Sequence, residues 1–95
     1  DLRRDAEAFR WYRRAADGGL PAAQYNLATL YLQGRGVAAD TRAAFGWYET
    51  AAKAGYVDAA YMLGECYRSG TGVPREVIQN PRVIKAYLGG ARHAG

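Results

Sequence analysis

Few side chains of this chain could carry out covalent chemistry. Its one cysteine, Cys66, and its one histidine, His93, are the candidates for a nucleophile and a general base. Such a pair acts only when its two atoms lie within about 3 Å of each other, and no feature of the sequence brings these two residues together. A single cysteine also excludes an internal disulfide and a cysteine-rich metal site.

Carboxylates are the second possible source of catalysis. Paired carboxylates act as acid and base in glycosidases, but the glutamates here are predicted to lie on exposed faces without such a pairing. The residues concerned are Glu7, Glu49, Glu65 and Glu76. We therefore predict that the protein is not an enzyme and has no catalytic residues, no metal site and no cofactor.

Two glycine-rich segments, Gly34–Val37 and Gly70–Val73, could present backbone N–H groups to a phosphate. Phosphate-binding loops of that kind follow a strand and carry a Lys-Ser or Lys-Thr pair. Each segment here follows a predicted helix and lacks that pair. We therefore interpret both segments as turns between helices.

The two turns belong to an internal repeat with a period of 36 residues. A Phe-x-Trp-Tyr motif at Phe9 returns at Phe45, and the Gly-x-Gly-Val turn at Gly34 returns at Gly70. Self-similarity with a period of roughly 20 to 50 residues is typical of a solenoid, which presents an extended surface to a partner. The recurring aromatic residues are predicted to pack in the core between helices: Trp11, Tyr12, Tyr25, Tyr31, Trp47, Tyr48, Tyr61 and Tyr67.

Helical periodicity, interrupted by glycine and proline, predicts five helices and no strand. We expect these helices at residues 2–17, 22–33, 41–54, 59–68 and 82–94. Pro21 is expected to open the second helix, Asp40 or Thr41 to cap the third, and Asp58 to cap the fourth. Four extra residues relative to the repeat fall in the loop before the fifth helix.

These elements are expected to form a single domain that spans residues 1–95. Residues 1–19 are interpreted as a partial repeat that contains only its second helix. Residues 20–55 are a complete repeat, and residues 56–95 are a further repeat with a longer loop at 73–81.

The pattern resembles the Sel1-like repeat, a relative of the tetratricopeptide repeat. The matching positions of the complete repeat are Ala23, Tyr25, Leu27, Tyr31, Gly34, Gly36, Val37, Asp40, Ala44, Trp47, Tyr48, Ala51, Ala52 and Gly55. The resemblance implies an all-α, right-handed α-solenoid of antiparallel helix pairs, with about two and a half repeats in this chain. It also implies that the first helix of each pair lines a concave surface. Proteins with such repeats are common in bacteria and serve as adaptors and scaffolds.

The resemblance places the candidate binding residues on the concave face of the two first helices. They are Tyr25, Thr29, Leu32 and Gln33 in one copy and Tyr61, Glu65, Arg68 and Ser69 in the next. Three of these four positions differ between the copies, so packing alone does not dictate them. Two alternatives stay open: Glu65 and Arg68 pair only with each other at i, i+3, or the inserted loop at 75–80 forms the binding edge.

The sequence leaves two classes of function open. The first is an adaptor that binds another protein or a peptide in the concave groove. The second is an envelope-associated protein that binds peptidoglycan or polysaccharide through aromatic faces, for which Tyr56 is the only candidate outside the repeated set.

Charge and hydropathy limit the partners. The net charge of +4 is modest and dispersed along the chain, so no nucleic-acid partner is expected. No apolar run is long enough to insert into a membrane, and we expect a soluble protein of the bacterial cytoplasm or periplasm. Repeat ends that expose packing surfaces predict self-association.

Overall fold

A computed structural model describes residues 2–75 of the chain, which form four α-helices. These are α1 (Leu2–Asp17), α2 (Pro21–Gln33), α3 (Thr41–Lys53) and α4 (Val57–Ser69). Residues 2–75 contain no strand, so the prediction of an all-helical solenoid is confirmed. The predicted fifth helix at 82–94 lies outside the described residues.

The turns after α1 and α3 have the same structure, 36 residues apart. After α1, the N–H of Leu20 donates to the carbonyl oxygen of Ala15 at 3.2 Å, and after α3 the N–H of Tyr56 donates to Ala51 at 3.0 Å. A glycine with φ of +90° or +91° precedes each donor. This Schellman arrangement ends the helix and turns the chain back, so each helix packs mainly against the next one along the chain.

The starts of α3 and α4 differ from each other. Asp40 caps α3 as predicted, because its carboxylate accepts a hydrogen bond from the N–H of Ala43 at 3.0 Å. The predicted cap of α4 by Asp58 is wrong: the helix begins at Val57, and Tyr56 occupies the cap position without a side-chain hydrogen bond. The hydrogen-bonded turn that ends at Tyr56 leads directly into the helix. Asp58 therefore lies in the first turn of α4, where its negative charge is favourable.

Small side chains allow the helices to approach one another closely. Five alanines between the helices are at most 2% exposed: Ala16, Ala28, Ala44, Ala51 and Ala59. The largest side chains that are fully buried are Leu27 and Tyr48. Leu27 packs where α1 meets α2, and Tyr48 packs in the larger cluster formed with α3 and α4.

The prediction that every recurring aromatic residue packs in the core is wrong for Trp11, which is 68% exposed. Its equivalent Trp47 packs against a cluster of Ala16, Ala23 and Leu27, and the guanidinium carbon of Arg13 lies 5.7 Å from the Trp47 ring centroid. Trp11 lies on α1, the first helix of the chain. No helix within residues 2–75 therefore covers it as α1 covers Trp47.

Tyr61 is the second exception and is also 68% exposed. Its equivalent Tyr25 packs against the rings of Tyr48 and Tyr56, with centroids 5.6 and 5.4 Å away. The positions equivalent to Tyr48 and Tyr56, 36 residues further along the chain, lie beyond the described residues. The exposure of Tyr61 thus reflects its place at the end of the described helices.

Two glycines allow a close contact between the turn after a first helix and the helix before it. Gly36 lies against the backbone of Asp5 in α1, and Gly72 lies against the backbone of Thr41 in α3. In both cases a Cβ atom would overlap a carbonyl oxygen. Both glycines also have a left-handed φ, of +76° and +70°, which is unfavourable for any residue with a side chain.

We expect Gly36→Ala to lower the free energy of unfolding by about 3 kcal/mol, because steric overlap adds to the cost of the left-handed backbone. Gly55→Ala is the matched control, since Gly55 has a φ of +91° but a Cβ there would meet no atom within 4 Å. We expect that control to lose about 1 kcal/mol. Urea unfolding followed by circular dichroism measures both values, and equal losses would contradict a role for the close contact.

Candidate functional site

Six of the predicted binding residues line two grooves of the described chain. The α1–α2 groove has a volume of about 280 Å³ and is lined by Asp5, Ala8, Tyr12, Asn26, Thr29, Leu30, Gln33 and Arg35. The α2–α4 groove has a volume of about 140 Å³ and is lined by Leu32, Met62, Glu65, Cys66, Arg68, Ser69 and Thr71.

The predicted binding residues are therefore divided into two sets. Thr29 and Gln33 line the α1–α2 groove. Four others line the α2–α4 groove, namely Leu32, Glu65, Arg68 and Ser69. Tyr25 and Tyr61 line neither groove: Tyr25 packs among aromatic rings and Tyr61 is exposed.

The α2 side of the first groove and the α4 side of the second correspond in the repeat, whereas their opposite sides, formed by α1 and by α2, do not. Five lining positions of the first groove correspond, 36 residues later, to lining positions of the second: Asn26 to Met62, Thr29 to Glu65, Leu30 to Cys66, Gln33 to Ser69, and Arg35 to Thr71. The residue type changes at every one of these positions. Equivalent positions of α2 and α4 thus face grooves in both copies, and their residue types vary.

The α1–α2 groove contains polar side chains that are free to bind. Tyr12 and Asn26 are half-buried and Gln33 is exposed, and within residues 2–75 none of their side chains has a hydrogen-bond partner. At the edge of the groove, Nη2 of Arg35 lies 3.1 Å from Oδ1 of Asp5. That ion pair neutralises both charges, so the free groups of this groove are uncharged donors and acceptors.

Thr29 lines the same groove and also bonds to the buried Tyr48. Its hydroxyl donates to the carbonyl oxygen of Tyr25 at 3.2 Å and lies 2.8 Å from the hydroxyl of Tyr48. Burial raises the pKa of the Tyr48 hydroxyl, and the hydrogen bond with Thr29 only partly opposes this effect. Tyr48 therefore stays neutral at physiological pH, and Thr29 satisfies a hydroxyl that the core would otherwise leave without a partner.

In the α2–α4 groove the polar side chains are already bonded to one another. Arg68 forms two hydrogen bonds with the carboxylate of Glu65, at 2.7 and 3.2 Å, which lower the pKa of Glu65. The hydroxyl of Ser69 lies 2.9 Å from the carbonyl oxygen of Glu65 and 2.8 Å from the hydroxyl of Thr71. The mutual pairing of Glu65 and Arg68, one of the two alternatives left open by the sequence, is thus what the structure contains.

The groups with potential chemistry are not arranged for it in the described part of the chain. Burial raises the pKa of the Cys66 thiol, which keeps it protonated and weakly nucleophilic. His93 and Glu76 lie outside the described residues. Within residues 2–75, no three His, Cys, Asp or Glu side chains form a group that could hold a metal ion.

Sequence reasoning missed six residues of the α1–α2 groove: Asp5, Ala8, Tyr12, Asn26, Leu30 and Arg35. Asn26 and Arg35 differ from their equivalents in the next copy, so the comparison that selected Thr29 could also have found them. Asp5 and Tyr12 belong to α1, and only the packing of α1 against α2 brings them to the groove.

Comparison with known families identifies the architecture. The family model of the Sel1 repeat matches residues 3–20 and 21–56, and the chain therefore belongs to the Sel1 repeat family. A second model, of a branched-chain amino acid ATP-binding cassette transporter, matches residues 71–93. That match covers a small part of the chain and assigns no function. No curated protein matches the chain.

Two solved structures are similar to this chain. A Sel1 repeat protein from Oxalobacter formigenes is 44% identical, with a TM-score of 0.71 over 90% of this chain and 62% of its own. A protective antigen present in uropathogenic Escherichia coli strains, with an SLR fold, is 33% identical, with a TM-score of 0.76 over 95% of this chain and 18% of its own. The chain thus spans less than two thirds of the length of either protein.

Membership in this family gives a broad functional class. Sel1 repeats are generally protein-interaction modules and typically non-catalytic scaffolds. None of the helices within residues 2–75 is both long and apolar enough to cross a bilayer.

The hydrogen bond between Thr29 and Tyr48 can be tested by a double-mutant cycle. We expect Thr29→Val to lower the free energy of unfolding by about 2 kcal/mol, because the hydroxyl of Tyr48 loses its partner. Tyr48→Phe should cost about 1 kcal/mol, and the double variant should be no less stable than Thr29→Val alone. Urea unfolding measures all four proteins, and strictly additive losses would contradict the coupling.

Proposed function

We propose that this chain is an adaptor module that binds another protein, through a peptide segment lying across the α1–α2 and α2–α4 grooves. One observation carries the proposal: five positions line a groove in both copies of the repeat, yet the residue type differs at each of them. Residues that serve only packing need not differ in this way. A surface that recognises a partner gains specificity from such differences.

The free polar groups of the α1–α2 groove support this proposal. Asn26 is half-buried without a partner within the described residues, and a polar group in that condition gains free energy from a ligand that supplies a hydrogen bond. A peptide segment offers N–H and C=O groups along its whole length. It can therefore satisfy Asn26 and Gln33 while its side chains enter the grooves.

The alternative function, binding of peptidoglycan or polysaccharide by an envelope-associated protein, has less support. Stacking on a sugar requires an open aromatic face. Tyr56, on which this alternative depended, is half-buried, and its ring centroid lies 5.4 Å from that of Tyr25. Its ring is thus engaged in packing.

Affinity capture from a lysate of the source organism tests the adaptor function. We expect the chain to retain a protein that the triple variant Gln33→Ala/Glu65→Ala/Arg68→Ala loses, because the variant alters both grooves without changing the net charge. The matched control is Lys53→Ala/Asp58→Ala, which removes one opposite pair of exposed charges away from both grooves. Retention of the same proteins by all three would contradict the groove assignment.

We further propose that the exposed face of α1 around Trp11 contacts a second copy of the chain. The support comes from within the molecule, where α1 places Arg13 over the ring of the equivalent Trp47, which also packs against the cluster that contains Ala16. Trp11 has only Arg14 of its own helix near its ring, at 5.8 Å, and remains 68% exposed. Burial of so large an apolar side chain favours association.

Sedimentation velocity over a range of concentrations tests this contact. We expect the sedimentation coefficient of the chain to rise with concentration, and that of Trp11→Ala to stay at the monomer value. Val57→Ala is the control, since Val57 is 77% exposed on α4 and should not alter association. A concentration-independent monomer for the unaltered chain would contradict the proposal.

A further inference from the structure

We infer that Trp11 of one copy of the chain enters an apolar hollow on α3 of a second copy, with the two helices running in the same direction. The inference rests on the proposed contact between copies and adds to it the surface that receives Trp11. Three observations support it: the composition of the hollow, a glycine in the middle of α3, and the charges that flank both partners of the contact.

The α3 hollow has a volume of about 330 Å³ and is lined by Ala43, Gly46, Trp47 and Thr50. These residues lie at i, i+3, i+4 and i+7 and so share one face of the helix. The hydroxyl of Thr50 already donates to the carbonyl oxygen of Gly46 at 2.9 Å, and the half-buried ring of Trp47 lies beside the small residues. An indole that entered this hollow would bury apolar surface and contact a second aromatic ring.

Gly46 lies in the middle of α3, where glycine destabilises a helix relative to alanine. Nothing in the described chain requires it, since its φ is not left-handed and a Cβ atom would meet no described atom within 4 Å. Gly64 in α4 is equally unhindered, but its equivalent Ala28 is fully buried, so the repeat itself favours a small residue there. The equivalent of Gly46 is Arg10. The missing side chain is therefore specific to α3, and it opens the hollow.

Trp11 has neighbours of opposite charge along its face of α1. Glu7 lies four residues before it and Arg14 three residues after it, and all three residues are exposed. Residues at these spacings are neighbours on a helix surface, and the guanidinium carbon of Arg14 lies 5.8 Å from the centroid of the Trp11 ring. An acidic group thus precedes the tryptophan, and a basic group follows it.

The hollow has the reverse order of charge. Arg42 lies four residues before Gly46, and Glu49 lies three residues after it. With the tryptophan over Gly46 and the helices parallel, Arg42 would face the glutamate of the second copy and Glu49 its arginine. With the helices antiparallel, like charges would meet. Charge complementarity therefore favours the parallel arrangement.

Each copy contains both the tryptophan and the hollow. Two such contacts related by a two-fold axis would close a dimer, and contacts that are not reciprocal would extend a chain of copies. In either case, a copy without the tryptophan and a copy without the hollow can still form one contact with each other. The pairing can therefore be tested by mixing two variants.

Sedimentation velocity of two variants and of their mixture tests the inference. Gly46→Arg introduces the residue that α1 carries at the equivalent position and should fill the hollow without disturbing the fold, because no described atom obstructs it. We expect Gly46→Arg and Trp11→Ala each to be monomeric at concentrations at which the chain associates, and to form a 1:1 complex when mixed. Ala60→Arg is the matched control: it adds the same charge at an exposed position of α4 and should associate as the unaltered chain does.

Reversal of single charges tests the direction of the helices. Glu7→Arg and Arg42→Glu should each weaken association about fivefold, and the double variant should recover the affinity of the unaltered chain. Both residues are exposed, so neither change should disturb folding, which circular dichroism checks. Stronger association of either single variant would indicate antiparallel helices and contradict the inference.

The two proposals fail in different ways. A concentration-independent monomer for the unaltered chain would contradict both the contact between copies and the hollow as its receiving surface. If Trp11→Ala is monomeric but Gly46→Arg associates as strongly as the chain, the hollow is not the receiving surface and the contact between copies stands. Absence of a complex in the mixture of the two variants would likewise overturn the inference.

Discussion

The close approach of Gly36 to the backbone of α1 is the contact on which the rest of the structure depends. Because no Cβ atom fits between Gly36 and Asp5, the turn after α2 lies directly on the start of α1. Arg35, one residue earlier, then reaches the carboxylate of Asp5. The same approach of Gly72 to Thr41 holds the turn after α4 against α3. These two contacts hold the turn after each first helix against the helix that precedes the pair.

Most of the positions that hold the molecule together differ from those that line its grooves. Several positions that pack the core keep their residue type from one copy to the next: Ala23 and Ala59, Leu27 and Leu63, Tyr31 and Tyr67. Groove positions change, and most of them are half-buried or exposed, where substitutions cost little stability. Thr29 belongs to both sets, since it lines a groove and also satisfies the buried hydroxyl of Tyr48. The lining of the grooves can thus vary while the packing of the helices is kept.

Much of the fold could be predicted from the sequence because its signals are local. The bounds of the first three helices follow from apolar periodicity, from glycines that require left-handed backbone, and from the cap at Asp40. The start of α4 could not be predicted from Asp58 alone, because a tight turn in the backbone decides it. The exposure of Trp11 could not be predicted either. A repeat pattern indicates that a residue is buried only where the helix that would pack on it is present. For the same reason, the pattern identified groove residues on α2 and α4 but not Asp5, which α1 contributes.

The sequential packing of the helices has a consequence for how the protein is made. Within the described chain, each helix packs mainly against the one that precedes it and the one that follows. A topology with such short separations between contacting residues has a low contact order and folds rapidly. Each helix that leaves the ribosome therefore finds its packing partner already synthesised, and the structure can grow in step with translation without waiting for the carboxyl end.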